Sequence, residues 1–275
     1  MTVLALAVLG RGLVDPAEPV VRADDDALTR GRAVFETLRV YNGRPFRLRE
    51  HLLRLARSAE RVGLDAPPLD ELERLAGLVL AAAAAPDAVL RFYWTPGAPD
   101  ADPTAFVLVS LVPDWIEPAR AQGQSLVSLF HPRRSVPWLL PATKSTSYAV
   151  NMAAEAEAKR RGADDAVFVD AEGIVLEGPV TNIWWRRDAT LHTPSLELGI
   201  LAGETRAALL EVAAGCGYTV AEVVCPLADV LGADEVFTSS SIREVMPVVD
   251  LDGHSIGRGP AADALQAALR RLATL

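Results

Sequence analysis

The chain is poor in cysteine, with only Cys216 and Cys225 in 275 residues. Their spacing matches neither a zinc site nor a disulfide framework, so reduced thiols in a cytoplasmic protein are expected. Histidine is sparse too. His51, His131, His192 and His254 fall at no metal-ligand spacing, so no metal is expected and all four read as structural or exposed. No apolar run approaches the length of a membrane span. The opening MTVLALAVLGRGLV is too short, lacks a basic leader, and reads as a first strand. Positive charge is not in excess either: 27 Lys+Arg against 36 Asp+Glu leave a net charge of −9. That balance excludes a sequence-wide surface for nucleic acid or anionic lipid. Lysine is scarce among those cations, which draws attention to Lys144.

What is present suits a globular protein. Half of the chain is hydrophobic and 23% is charged, and the length allows two modest domains or one large one. The amino-terminal half begins with strand signals. Ala33 to Tyr41, then Asn42-Gly43, then Arg44 to Leu48 is a hairpin signature, because Asn-Gly supplies the positive φ angles of a type I′ turn. Helices are expected from Leu48 to Val62, with Leu52, Leu55 and Ala59 on one face, and from Leu69 to Ala85. Strands follow over Val89–Thr95 and Thr104–Leu111. Pro113 to Gly123 reads as a connection.

The second half starts with a strand near Ser125–Phe130 and reaches Lys144 through a Pro-punctuated loop. A helix from Ser147 to Arg161 leads into an expected meander of Ala166–Val169, Ile174–Glu177, Val180–Trp185 and Thr190–His192. Of Trp184 and Trp185, one is expected to be buried and one exposed. A helix over Glu204–Ala214, strands near Thr219–Val224 and Glu235–Thr238, and a terminal helix from Ala261 to Leu272 complete the pattern. The expectation is a mixed α/β (α+β) fold in two domains with a cleft between them. Residues 1–112 form a smaller domain, 113–124 the connection and 125–275 a larger domain.

The chemistry concentrates in a few segments. Lys144 lies in Pro141-Ala-Thr-Lys-Ser-Thr-Ser-Tyr148, where a Pro-containing stretch gives way to an Ala-rich helix. Glu177 follows 33 residues later in Leu176-Glu-Gly-Pro-Val-Thr-Asn-Ile183. A lysine and a glutamate so placed can hold opposite ends of one pyridine cofactor. Pyridoxal phosphate needs a lysine for its Schiff base, a carboxylate at the ring nitrogen, donors for the phosphate and an apolar wall. Two clusters suit the phosphate: Gly203-Glu-Thr-Arg206 where a loop enters a helix, and Thr238-Ser-Ser-Ser241 after a strand. Standing alone, Lys144 would read as a solvated surface residue, Glu177 as a strand-end charge and Arg54 as a snorkelling arginine. Tyr148 reads as a helix-packing residue.

The order and spacing of these segments resemble the class IV aminotransferases, the fold-type IV pyridoxal-phosphate enzymes. That family contains D-amino-acid transaminases, branched-chain aminotransferases and aminodeoxychorismate lyases. The matching stretches are Arg30-Gly-Arg-Ala-Val-Phe-Glu-Thr-Leu38, Arg49-Glu-His-Leu-Leu-Arg-Leu55, Thr143-Lys-Ser145, Glu177-Gly-Pro-Val-Thr-Asn182, Gly203-Glu-Thr-Arg206, and Glu235-Val-Phe-Thr-Ser239 with Glu244-Val-Met-Pro-Val248. The resemblance implies a cofactor in the interdomain cleft and a homodimer. It implies Lys144 as the Schiff-base lysine and proton carrier, Glu177 at the ring nitrogen and Arg54 as a phosphate clamp. Thr205 and Ser241, with the backbone amides of Glu204 and Ser240, would complete the phosphate cup, and Leu201 would pack on the ring. Glu204 departs from the family, which usually has an apolar residue there, so only its backbone N–H is expected to serve.

Substrate choice is less defined. Trp94-Thr-Pro-Gly97 stands where the best-known D-amino-acid transaminases carry an Arg-x-His pair for the substrate carboxylate. Arg30, Arg91 and Arg243 are the candidate replacements, with Phe35 beside them. An arginine inside an apolar strand, as Arg91 is, must be paired with an anion of the protein or of a ligand. For Arg91 a pair with some aspartate of its own domain competes with substrate binding. The Lys-Ser-Thr-Ser-Tyr148-Ala-Val-Asn151 continuation looks more like the D-amino-acid transaminase and lyase branches than the branched-chain one. The expected activity is transfer of an amino group from a D-amino acid to a 2-oxo acid. Alternatives are an aminodeoxychorismate lyase and, behind it, a branched-chain aminotransferase or a non-catalytic cofactor-binding protein.

Overall fold

The structure is a computed structural model and describes residues 2–130 and 140–274. His131 and part of the Pro-punctuated loop lie outside the described residues. The chain divides into two compact units. One comprises Met1–Pro113, Thr143–Tyr148 and Thr274; the other comprises Asp114–Ala142, Ala149–Ala273 and Leu275.

The first unit is built on a six-stranded sheet. Its elements are β1 (Val3–Val8), β2 (Gly12–Val14), α1 (Asp26–Thr29), β3 (Val34–Tyr41), β4 (Arg44–Pro45), α2 (Leu48–Arg61), α3 (Leu69–Ala83), β5 (Ala88–Thr95) and β6 (Thr104–Ser110). The strand order is β2-β1-β6-β5-β3-β4, and every pairing is antiparallel. The β3–β4 hairpin turns at Asn42 (φ 49°) and Gly43 (φ 78°), as its sequence requires. On α2 the expected stripe of Leu52, Leu55 and Ala59 is fully buried. It packs with Leu72, Leu75 and Val79 of α3 against Leu38, Leu90, Phe92 and Val107, which project from one face of the sheet. Each such side chain contributes about 1.5–3 kcal/mol on burial. Phe35, Thr37, Arg91, Tyr93, Phe106 and Leu108 alternate with these residues, and their register places them on the other face.

The second unit holds α4 (Ile116–Gln122), β7 (Gln124–Phe130), α5 (Ala149–Arg160), β8 (Asp165–Val169), β9 (Asn182–Arg187), β10 (Thr190–Pro194), α6 (Glu204–Val212), β11 (Thr219–Val223), α7 (Leu227–Leu231), β12 (Glu235–Ser240), β13 (Glu244–Leu251), β14 (His254–Ser255) and α8 (Ala261–Thr274). Its sheet runs β11-β10-β9-β12-β13-β7-β8, with β14 paired to β13. The stretch read as a connection therefore contains α4, which buries Ile116 and Arg120. Thr143–Tyr148, expected in the second half, groups with the first unit.

The expected meander is formed only in part: β9 and β10 pair antiparallel, but the earlier strands do not join them. β8 pairs with β7 at one end of the sheet, while β9 lies between β10 and β12. Ile174–Glu177 forms isolated bridges, Val169 with Val175 and Ile174 with Pro226, and Phe168 exchanges backbone hydrogen bonds with Leu176 and Glu177. Gly178-Pro179 follows at once, and proline has no N–H with which to extend a ladder. Trp184 and Trp185 are both buried, at 0% and 2% exposure. Trp184 stacks on Phe237 and Trp185 on His192, so an interior strand covers both faces. No helix among the described residues is long and apolar enough to cross a membrane.

Candidate active site

In the first unit, residues 143–148 run beside the start of β3. Val34 and Ser145 form an antiparallel bridge. Phe35 N donates to the Lys144 carbonyl at 3.1 Å, and Thr146 N to the Ala33 carbonyl at 2.8 Å. The Thr146 and Ser147 hydroxyls each donate to the Gly31 carbonyl at 3.0 Å. Gly31 has φ +65°, and a Cβ there would lie 2.7 Å from Ser147 Oγ, so this approach needs glycine. Lys144 N donates to Ser58 Oγ of α2 at 3.2 Å.

With the backbone so fixed, Lys144 Nζ lies 4.3 Å from the centroid of the Phe35 ring and 5.5 Å from that of Tyr148. The rings continue as a wall: Tyr148 meets Phe35 edge-on at 5.2 Å, and Tyr93 stacks on Phe35 at 5.9 Å and on Phe106 at 4.6 Å. Tyr148 is thus part of the surroundings of the lysine. An ammonium over ring faces gains about 0.5–2 kcal/mol while its hydration is reduced.

Arg54 projects from α2 beside the buried leucines and is 5% exposed. Its guanidinium grips Glu36 as a fork, Nε to Oε1 at 2.6 Å and Nη2 to Oε2 at 2.7 Å. His51 Nδ1 lies 2.7 Å from the same Oε2. Burial alone would push the Glu36 carboxyl up, but the Arg54 guanidinium and His51 outweigh it and hold it well below the usual carboxylate range. Glu36 and His51 are partners of Arg54 that lie outside the expected site. The signal was available: Val34, Glu36, Leu38 and Val40 share the helix-facing side of β3, and a carboxylate there demands a cation.

The three candidate substrate arginines have different surroundings. Arg30 is exposed and donates to the neighbouring Thr29 carbonyl at 3.0 Å. Arg243 is drawn to carboxylates of its own unit, Asp165 and, at 3.5 Å, Glu155, and lies over the Trp115 ring. Arg91 is half-buried in β5, on the same sheet face as Phe35 and Tyr93, and donates to Ser110 Oγ at 2.7 Å. Burial pushes its pKa down, and among the described residues Tyr93 acts against that and no carboxylate does.

In the second unit Glu177 follows the Val175 bridge and is 7% exposed. Its Oε2 accepts from Leu201 N at 3.0 Å. The Leu201 carbonyl in turn accepts from Asn182 Nδ2 at 2.9 Å. Gly203 is the N-cap of α6 and offers no side-chain cap, and Glu204 and Thr205 occupy the buried first turn. The N–H groups of that turn form the positive end of a helix. A Cβ on Gly203 would sit 2.1 Å from Asn182 Oδ1, so glycine allows the strand and the helix start to meet. Thr181 Oγ1 is buried with no partner among the described residues. Ser240 ends β12, Glu244 begins β13, and Ser241, Ile242 and Arg243 form the loop between them.

These residues fit pyridoxal phosphate. The described chain offers an amine against aromatic faces, a buried carboxylate held by a backbone N–H, an uncapped helix start, a hydroxyl-bearing turn and an orphaned threonine hydroxyl. The amino-transferase class IV family matches residues 33–251. The chain belongs to that family. It is a mixed α/β protein of fold type IV and a pyridoxal-phosphate-dependent aminotransferase. A bifunctional aminodeoxychorismate lyase / D-amino acid transaminase of Mycobacterium tuberculosis is 35% identical, covering 91% of this chain and 92% of that protein. A solved hypothetical aminotransferase from the same organism, in its PLP-bound form, gives a TM-score of 0.92 at 34% identity over 98% of both chains. Its alpha-ketoglutarate and PMP bound form gives 0.93 at the same identity and coverage. A branched-chain aminotransferase from Thermoproteus uzoniensis with norvaline gives 0.90 at 29% identity, covering 99% of this chain and 96% of that one.

Proposed function

We propose that this aminotransferase moves the amino group of a D-amino acid to a 2-oxo acid, and that it works as a homodimer in the cytoplasm. Bound pyridoxal phosphate supplies an electron sink for the substrate Cα. Lys144 Nζ carries the proton away from and back to that carbon. Phe35 and Tyr148 hold the amine in place and limit water around it. Glu177 keeps a proton on the ring nitrogen, and its bond from Leu201 N fixes the carboxylate for that task. Leu201 packs on the ring. The backbone N–H groups of Glu204 and Ser240, with the Thr205 and Ser241 hydroxyls, receive the phosphate. Arg54, braced by Glu36, adds positive charge to that end.

One observation carries the choice of an amino acid over a neutral amine. Arg91 is a half-buried cation on which no carboxylate of the described residues acts, on the sheet face that bears Phe35. A guanidinium so placed is best satisfied by a ligand carboxylate. Arg30 lies out in solvent, and Arg243 is already held by Asp165, so neither is assigned to the substrate carboxylate. The D-configuration is supported by the name of the M. tuberculosis relative. That name also favours a second reading, a lyase that makes 4-aminobenzoate and pyruvate from aminodeoxychorismate.

Offering D-alanine with 2-oxoglutarate, L-leucine with 2-oxoglutarate, and aminodeoxychorismate in parallel tests the reading. D-alanine should turn over fastest. Faster release of 4-aminobenzoate would establish the lyase instead, and faster use of L-leucine would overturn both. Lys144→Ala should abolish every one of these activities.

A further inference from the structure

Glu244 is fully buried and holds φ +56°, a conformation that a long acidic side chain seldom adopts. It pairs with Ser240 across the β12–β13 hairpin and closes the three-residue loop Ser241-Ile242-Arg243. In such loops the left-handed position is normally glycine. Strain of this kind persists where the surroundings over-determine it, and it points to function.

The surroundings here are a set of donors behind the loop. Glu244 Oε2 accepts from Arg120 Nη2 at 2.8 Å, Gln266 Nε2 at 2.8 Å and Arg270 Nη2 at 2.7 Å. Arg120 reaches further, donating to the Arg243 carbonyl at 2.8 Å and the Val245 carbonyl at 3.0 Å. Gln266 Oε1 accepts from Val245 N at 2.9 Å. On the far shoulder, Arg243 N donates to Ser240 Oγ at 3.3 Å and the Arg243 side chain is tied to Asp165. The backbone on either side of Glu244 is therefore gripped by α4 and α8, and the hydroxyls of Ser240 and Ser241 sit at the tip of a braced turn.

We propose that Glu244, held by Arg120, is a positioning residue that presets the Ser240–Ser241 turn to receive the cofactor phosphate. The proposal rests on the reading of that turn as part of the phosphate cup. A flexible turn would have to be ordered at the moment of binding; a braced one has lost that freedom on folding. The buried carboxylate keeps Arg120 aimed at the loop backbone, so Glu244 acts on the turn through Arg120.

The test compares apoprotein titrated with pyridoxal phosphate and with pyridoxal, followed by tryptophan fluorescence. The variants are Glu244→Gly, Gln266→Ala and Ser241→Ala. Glycine suits the left-handed backbone, so Glu244→Gly removes the anchor without adding strain. It should weaken pyridoxal phosphate binding about tenfold or more, while affinity for pyridoxal stays within about twofold. Gln266→Ala should move the same way by a smaller factor, and it decides the matter if Glu244→Gly does not fold. Equal losses for both ligands would overturn the proposal, because Glu244 would then serve the fold alone. If Ser241→Ala loses phosphate-dependent affinity and neither Glu244→Gly nor Gln266→Ala does, positioning fails while the cup reading stands. If Ser241→Ala leaves both affinities unchanged, the cup reading fails and the proposal with it.

Discussion

The backbone N–H of Leu201 donates to Glu177 Oε2 at 3.0 Å, while the carbonyl of Leu201 accepts from Asn182 Nδ2 at 2.9 Å. One peptide stretch thus links the carboxylate to a strand side chain, and Asn182 in turn occupies the space over Gly203. Gly203 has φ −67°, which any residue can adopt, so a substitution there acts through space and not through the backbone. Gly203→Ala places a methyl group 2.1 Å from Asn182 Oδ1. Asn182 must move, and Leu201 loses its anchor. Cofactor affinity should fall about tenfold, the equivalent of one modest hydrogen bond. Adding Gly203→Ala to Asn182→Ala should cost much less, since the clash is gone. Wild-type affinity in Gly203→Ala would show that the linkage does not reach Glu177.

Glu36 makes a second prediction, one with a pH signature. Its carboxyl is held well below the usual range by Arg54 and His51, against the upward push of burial. A carboxylate with a depressed folded pKa contributes stability that is fully present above its unfolded pKa, about 4.3. That contribution is lost only as pH falls from there toward the folded value. Glu36→Gln should therefore destabilise the protein by about 3–5 kcal/mol at neutral pH, because it leaves the buried Arg54 without its anion. Denaturant unfolding should show the same gap from pH 8 to pH 5, narrowing below about pH 4. A gap that closes between pH 7 and pH 5 would sink this account.

Much of this was legible in the sequence because the signals are local. Asn42-Gly43 specifies its own turn, and Leu52, Leu55 and Ala59 specify the buried side of α2 whatever lies beyond it. The class IV segments were recognisable because each is a short backbone device: a glycine where a strand approaches a helix start, or hydroxyls at a hairpin tip. What escaped was non-local. No strand is expected over Glu244–Leu251, yet β13 forms there beside β12, and its pairing with β7 begins only at Val248. Arg243 stood next to the serines and looked free to meet a ligand, but Asp165, 78 residues away, takes its side chain. Charge pairs between distant segments leave no spacing to read.

Arg91 carries the third prediction. Replacing it with Gln keeps a donor for Ser110 Oγ but removes the charge. If Arg91 receives the substrate carboxylate, Arg91→Gln should raise KM for D-alanine about tenfold or more, the loss of a charged hydrogen bond. KM for a neutral amine donor should change little, and the stability of the apoprotein should hold or rise, since a partly desolvated cation is gone. Equal effects on amino acid and amine would assign Arg91 to the sheet alone.

The cysteines give the last test, which is independent of any ligand. Cys225 is 7% exposed, and burial, aided by the nearby Asp229 charge, pushes its thiol up to about 11 despite Arg187. At pH 8 a group with that pKa is about one part in a thousand thiolate, and the thiolate is the reactive form. Cys216 is more exposed, its thiol donating to the Ala264 carbonyl at 3.7 Å near the surface of α8. Iodoacetamide at pH 8 should therefore label Cys216 first, and mass spectrometry of the peptides reads the order directly. Cys225 should become reactive only when the protein is unfolded in denaturant, where burial and the Asp229 charge no longer act on it. Labelling of native Cys225 at a rate matching that of Cys216 would mean that the Val175–Cys225 pairing opens readily, and that the core beneath it is not closed as described.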